Sequence, residues 1–383
     1  IKNNSELLHN KLKAISEENR AKFLTFILTQ CYLVTVTTIN QKSAFRIFSV
    51  MNNRGLDLQP TDILKANILG NDSNPQNTDA WEDLEAELGR EEFNNLFHYI
   101  RMIYIQQKAR KELIEDFSSQ VLSKINKGDF VNTVLEPYAK QLKIINNGCY
   151  LSENEDANKD ISQSLYWLNR TGNSDWKPVA IQFLRQYENK PEKAKSFFEK
   201  LERIAAMMLI TNCNVYDRIN RYAEILKEIE KVDLNNEEKK WFINSLEGDI
   251  YYMTGFKRNY LILRLDDFIS DKHARYDGAL TIEHVLPQTV TEDSEWAKNW
   301  SEEERNKWTH KLANLVPLNR NRNSSAQNYD FQTKKEKYFS GSKNISSYAL
   351  TTQVLHASDW TPQVVEKRQE NLLDILKEKW ALN

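Results

Sequence analysis

Apolar side chains recur every three to four residues over most of the chain, the period that puts them on one face of a helix. Phe93, Leu96, Phe97, Ile100, Ile103 and Tyr104 follow it, as do Ile181, Phe183, Leu184 and Tyr187, and Phe197, Phe198, Leu201, Ile204, Met207 and Met208. Turn-forming residues interrupt it at 126–128, 146–148, 170–173 and 190–191. Ser16 followed by Glu17 and Glu18 predicts a helix to about Gln30, since a serine cap and first-turn acids both favour an N-terminus. A helical pattern returns at 43–51, at 345–357, and from Pro362 to about Leu382 behind a Thr361 cap. Two places break the helical rule. Residues 31–39 are β-branched and read as a strand. Between 280 and 318 two short apolar runs flank a polar, acidic insert, whose Ser301–Glu304 spacing predicts a capping box. The fold class expected is mainly α, with no fixed repeat period.

Length and composition add boundaries. A chain of 383 residues should hold two or three domains. The turn-rich stretch 71–79 sets the first boundary, so we expect domains over 1–75, 76–271 and 272–383. No apolar run approaches the ~20 residues of a membrane span and no basic-then-apolar leader opens the chain, so a cytoplasmic protein is expected. Cys31, Cys149 and Cys213 lie far apart. That spacing argues against a zinc knuckle or a disulfide framework. Trp167, Trp176 and Trp241 could form a base-stacking platform, but large aromatics in helical segments usually pack a core.

The formal net charge of −2 gives no general attraction to nucleic acid, so such binding would have to be local. Charge is indeed segregated. Residues 291–304 carry six acids and one lysine, whereas 305–343 carry nine bases (Arg305, Lys307, Lys311, Arg320, Arg322, Lys334, Lys335, Lys337, Lys343) against two acids. Such a strip fits phosphate contact. It also fits a solvated helix face.

The candidate chemistry sits in the same stretch. Glu283–His284 ends the first apolar run, with Pro287 three residues beyond. Histidine is the natural general base near neutral pH, and a glutamate oxygen suits magnesium or manganese better than a soft-ligand ion. By itself this dipeptide says little, because a histidine at a strand end is commonly structural. Asn314 opens the second apolar run, Asn323 follows nine residues on, and Asn328, Phe331 and Lys334 come after. A second, weaker cluster lies upstream. Asn52, Arg54, Asp62 and Lys65 surround a Gly55 turn and a Pro60 helix start, where Arg54 could meet a nucleotide or phosphate or merely tie two helices.

Glu-His-x-x-Pro, then Asn-Leu, an asparagine nine residues on, and Asn-x-x-Phe-x-x-Lys resembles the C-terminal nuclease domain of the GmrSD restriction endonucleases, a branch of the HNH (His-Asn-His) enzymes. The chain departs from the pattern at Ala313, where the family has glycine, which asks whether the turn there needs a positive φ. Residues 43–65 resemble the closing part of the family's ParB-like N-terminal domain, whose Asp-Gly-Gln-Gln-Arg signature is missing, so nucleotide binding is uncertain. Residues 1–75 then look like the C-terminal part of that domain.

The resemblance implies a C-terminal ββα-metal motif holding one divalent ion, Mg or Mn, and cleavage of modified or foreign (phage) DNA. It implies Glu283 and Asn323 as metal ligands, with Asn319, Asn321 or Asn328 as substitutes for Asn323. His284 would be the general base and Asn314 the residue that holds the loop. Arg320, Arg322, Lys334 and Lys335 would contact nucleic acid. An oligomer is possible. The alternatives are a catalytically silent nucleic-acid-binding or regulatory module, or an RNase using the same site, since none of these groups reads the 2′-hydroxyl.

Overall fold

The computed structural model describes residues 2–32, 35, 37–38, 47, 59–70, 74–270, 275–276, 280–319, 328–336 and 348–383. The chain divides into two compact units, Ile1–Gln59 and Pro60–Asn383. In the first, helices Lys2–Lys13 and Glu17–Gln30 are described, the second starting at the expected Ser16. The strand expected at 31–39 lies largely outside the described residues, and its described positions are not in strand. The helix expected at 43–51 lies outside them except for Ile47, which is helical.

The first compact unit ends at Gln59. The reason is packing. Helix Pro60–Leu69 starts on its proline and buries Leu64 and Ile68 in the same core as Trp81, Phe93 and Phe97. Helices then follow one another to Ile269, with Trp167 and Trp176 fully buried and Trp241 half exposed. A buried polar network locks four segments of this body together. Arg264 donates to Glu202 and Asp267, Trp167 and Gln163 donate to Asp267, and Tyr260 and Trp380 donate to Glu202. With its carboxylates and guanidinium all partnered, the network avoids the penalty of unpaired buried charge and fixes the packing geometry.

Beyond the body, β1 (Leu280–His284) pairs antiparallel with β2 (Leu315–Asn319), Glu283 opposite Val316 and His284 opposite Leu315. Successive strand residues face opposite ways, and each face of this ribbon meets its own core. Ile282 and Leu315 join the core of the helical body. Val316 and Leu318 join a second core built from Trp296, Trp308, Phe331 and Trp360. The insert between the strands carries helices Glu295–Asn299 and Glu302–Trp308, the latter opened by the Ser301–Glu304 capping box. Helices Ala349–His356 and Pro362–Lys379 close the chain. Among the described residues no helix is long and apolar enough to cross a membrane.

Candidate active site

The loop end of the β1–β2 ribbon gathers Glu283, His284, Asn314 and Lys334. Asn314 is wholly buried. Its Oδ1 accepts from the Leu286 amide at 2.7 Å and from Trp360 Nε1 at 3.2 Å, and its Nδ2 donates to the carbonyls of Leu286 and Thr309, both at 2.9 Å. The Asn314 carbonyl also accepts from Val285 N at 2.9 Å. One side chain therefore fixes the backbone two residues past His284, with its side-chain hydrogen-bonding capacity filled. The family's glycine is not needed before it. Ala313 sits in a short 3-10 turn and is not among the positive-φ residues, so the methyl group meets no backbone strain.

Glu283 and His284 are neighbours in sequence, and the strand turns them to opposite faces. Glu283 faces the second core. There Lys334 Nζ donates to its Oε1 at 3.0 Å and to the His284 carbonyl at 2.7 Å. Lys334 has no solvent exposure, so its ammonium is an internal counter-charge, and the expectation that it reaches phosphate gives way. Its position follows from helix Phe331–Lys334, whose Phe331 is anchored in the second core and whose Asp330 caps the start by accepting from Thr333 N. Burial pushes the Glu283 carboxyl up and the Lys334 ammonium down, both towards the neutral forms, although each opposes the other's shift.

His284 faces the helical body. Its ring lies 4.1 Å from Tyr251 and 5.4 Å from His310, centroid to centroid. Burial, reinforced by His310, Lys334 and Arg258, depresses its pKa to about 3. The imidazole is therefore neutral at pH 7 and, as it stands, a weak base, and an anion beside it would make it more basic. Its Nε2 is buried without a partner, and so are His310 Nδ1 and Arg258 Nε. Arg258 lies over Tyr251, 4.5 Å from the ring centroid, and donates to the Tyr251 carbonyl. Of these three nitrogens around one tyrosine, Arg258 Nε is a donor that lacks an acceptor and each imidazole nitrogen is donor or acceptor according to tautomer, and leaving them unpaired is costly. Sequence reasoning missed these residues. A signal for His310 existed, since it is a second histidine four residues before Asn314. Arg258 and Tyr251 are brought in by the fold from remote segments and have no local signature.

The remaining expected residues are scattered or outside the description. Arg320, Arg322, Asn321 and Asn323 lie outside the described residues, as do Asn52 and Arg54. Asn319 ends β2 and Asn328 is exposed in the turn before Phe331. Lys335 donates to the Ala357 carbonyl. Arg305, Lys307 and Lys311, described members of the basic strip, bond to the Trp300 carbonyl, Glu366 and the Glu247 carbonyl. Asp62 pairs with Arg90 and Lys65 with Glu82, each at 2.9 Å, within the helical body.

As to a metal, no group of three or more His, Cys, Asp or Glu side chains among the described residues could hold an ion. One carboxylate with hard oxygen donors suits magnesium-type binding, in which water and substrate phosphate supply most ligands, better than an all-protein zinc site.

Residues 236–375 match the family model for the C-terminal domain of GmrSD restriction endonucleases. That match supports a GmrSD-like family and suggests a nuclease role for this part of the chain, with DNA the implied substrate. It spans the last helices of the body, both strands and most of the closing helix, so Tyr251, Arg258 and His310 fall within it alongside Glu283, His284 and Asn314. No curated protein matches the chain.

Proposed function

We propose that the chain is a metal-dependent endonuclease of the HNH type that hydrolyses DNA phosphodiester bonds and restricts modified or foreign DNA. The observation that supports this best is the Asn314 clamp, which fixes the backbone just beyond a buried, neutral His284 whose Nε2 has no partner. A neutral imidazole held this way can take the proton of an attacking water. Arg258 and His310 would donate to the phosphate from the same face. Lys334 keeps Glu283 charge-compensated and aimed, while Asn314 keeps the loop from drifting. Glu283 and Asn323 would hold a magnesium or manganese ion, which when bound would stabilise charge on the phosphoryl oxygens. Residues 1–75 are read as the C-terminal part of a ParB-like domain.

Nicking of supercoiled plasmid is the test. The parent should cut with magnesium or manganese and stop with chelator, and His284→Ala should be slower by about 10² to 10⁴, the usual worth of general base catalysis. Equal cutting by both proteins would remove the dyad from the chemistry.

A further inference from the structure

At the opposite end of β1 from His284, a cavity of about 220 Å³ opens between helix Gly255–Ile269 and the start of the strand. Its walls are aromatic. Phe256 is 53% exposed, and its ring lies directly on Gly172, where a Cβ would come within 2.8 Å of Cζ. Gly172 has φ +73°, so glycine there both permits the turn and leaves room for the ring. Tyr276 and Tyr348 present nearly parallel rings, 5° apart, and the Tyr276 hydroxyl is bound to Asp266. Tyr276 thus offers the cavity a ring face, not its hydroxyl. Arg170, 5.1 Å from the Tyr166 ring centroid and donating to the Tyr276 carbonyl, adds a planar cation. Asn259 lines the same cavity, and its side-chain amide makes no hydrogen bond to the described residues.

Aromatic faces, a guanidinium plane and one open amide are the groups by which proteins hold an unpaired base. The rings and the guanidinium stack on its π-face, and an asparagine can bond its edge with a donor and an acceptor together. A simple apolar ligand would leave the Asn259 amide without a role. We infer that this cavity is a nucleobase-binding subsite, taking one unstacked base of the strand whose phosphate lies at His284. The inference rests on the nuclease reading for its ligand class. The spacing agrees with it. Leu280 borders the cavity and His284 is four strand residues away. That is roughly 13 Å at ~3.3 Å per residue, a distance that a short stretch of single strand can bridge.

The test uses fluorescein-labelled single-stranded 12-nucleotide DNA and the His284→Ala chain with magnesium, read by anisotropy. Twelve further oligonucleotides each carry one abasic position and are otherwise identical, so phosphate charge is constant. The subsite requires that abasic substitution weaken binding about 5- to 150-fold at one position, the range for base–aromatic stacking, with little effect elsewhere. Phe256→Ala should bind the intact strand as weakly as the parent binds that abasic strand, and should show no further abasic loss. Phe256→Tyr should restore the difference. A flat abasic scan in a chain that still binds the intact strand would overturn the subsite and leave the nuclease reading standing. Failure to bind any oligonucleotide would also overturn the subsite, and the plasmid assay then decides the nuclease reading by itself. The scan varies the ligand, so it holds even if a Phe256 variant folds poorly.

Discussion

Lys334→Met puts the most distinctive contact in the molecule to the test. The parent lysine is fully enclosed and its described contacts are Glu283 and the His284 carbonyl. Methionine fills similar volume without the charge, so packing changes little. The Glu283 carboxylate then loses its counter-charge while only 15% of its side chain is exposed. Removing one partner of a buried pair costs about 3 to 5 kcal/mol, and the residual hydration of Glu283 points to about 3. Glu283→Gln strands the ammonium instead, with no exposure at all, and should cost at least as much. Because each single variant includes the cost of the abandoned partner, the double variant should lose about 2 kcal/mol less than the sum of the two. Urea unfolding followed by tryptophan emission is the assay, since Trp296, Trp300, Trp308 and Trp360 all lie in the core that Lys334 adjoins. If Lys334 instead faced phosphate, Lys334→Met would change stability by less than about 0.5 kcal/mol and lower the salt slope of DNA binding by about one. That pair of results would refute the internal role.

Two other outcomes follow from the same geometry. Asn314→Ala should destabilise by about 3 kcal/mol, because the Leu286 and Thr309 backbone groups are left unpaired where water does not reach, and Asn314→Asp should fare little better, having no amide to donate; chemical denaturation measures both. Asp266 accepts from the Leu350 amide and is pushed up to about 6 by burial, against an ordinary 3.8. The folded chain therefore keeps a proton that the unfolded chain has released between about pH 4 and 6. The cost of ionising it in the fold is complete above pH 6 and gone below pH 4, so this group adds up to about 3 kcal/mol of stability as pH falls through that window. Stability curves from pH 4 to 7 should be flatter in that respect for Asp266→Asn.

How legible these features were depends on how local their causes are. The Ser301 capping box and the Thr361–Pro362 helix start are set by neighbouring residues, and the two short apolar runs that pair as β1 and β2 stand out from the helical pattern, so these can be read from the chain. Asn314 was singled out because Asn-Leu, with an asparagine nine residues on, belongs to the motif that resembles the GmrSD C-terminal domain. Lys334 was located but its environment was misread. A lysine in a basic run looks solvated, and nothing adjacent to it reveals that Phe331 drags it into a core opposite Glu283. Lys307 and Lys311 likewise meet partners in other segments, Glu366 and the Glu247 carbonyl, that their neighbours do not reveal. Leu64 and Ile68 pack with residues far ahead in the chain, which the local turn signals at 71–79 do not reveal. Tyr251 and Arg258 reach His284 only through tertiary structure, and one sequence alone does not show that.

The central claim is that Glu283 and His284 divide the chemistry of phosphodiester hydrolysis between an ion and a proton. The most direct measurement is the rate of plasmid nicking against manganese concentration for the parent, Glu283→Ala and His284→Ala. The account predicts that His284→Ala keeps the parent's half-saturating manganese while its rate falls about 10² to 10⁴. It predicts that Glu283→Ala needs much more manganese and recovers part of the rate when it is supplied. The opposite pattern, with the histidine variant losing the ion and the glutamate variant keeping it, would contradict the account, as would a parent protein that leaves the plasmid intact at every metal concentration.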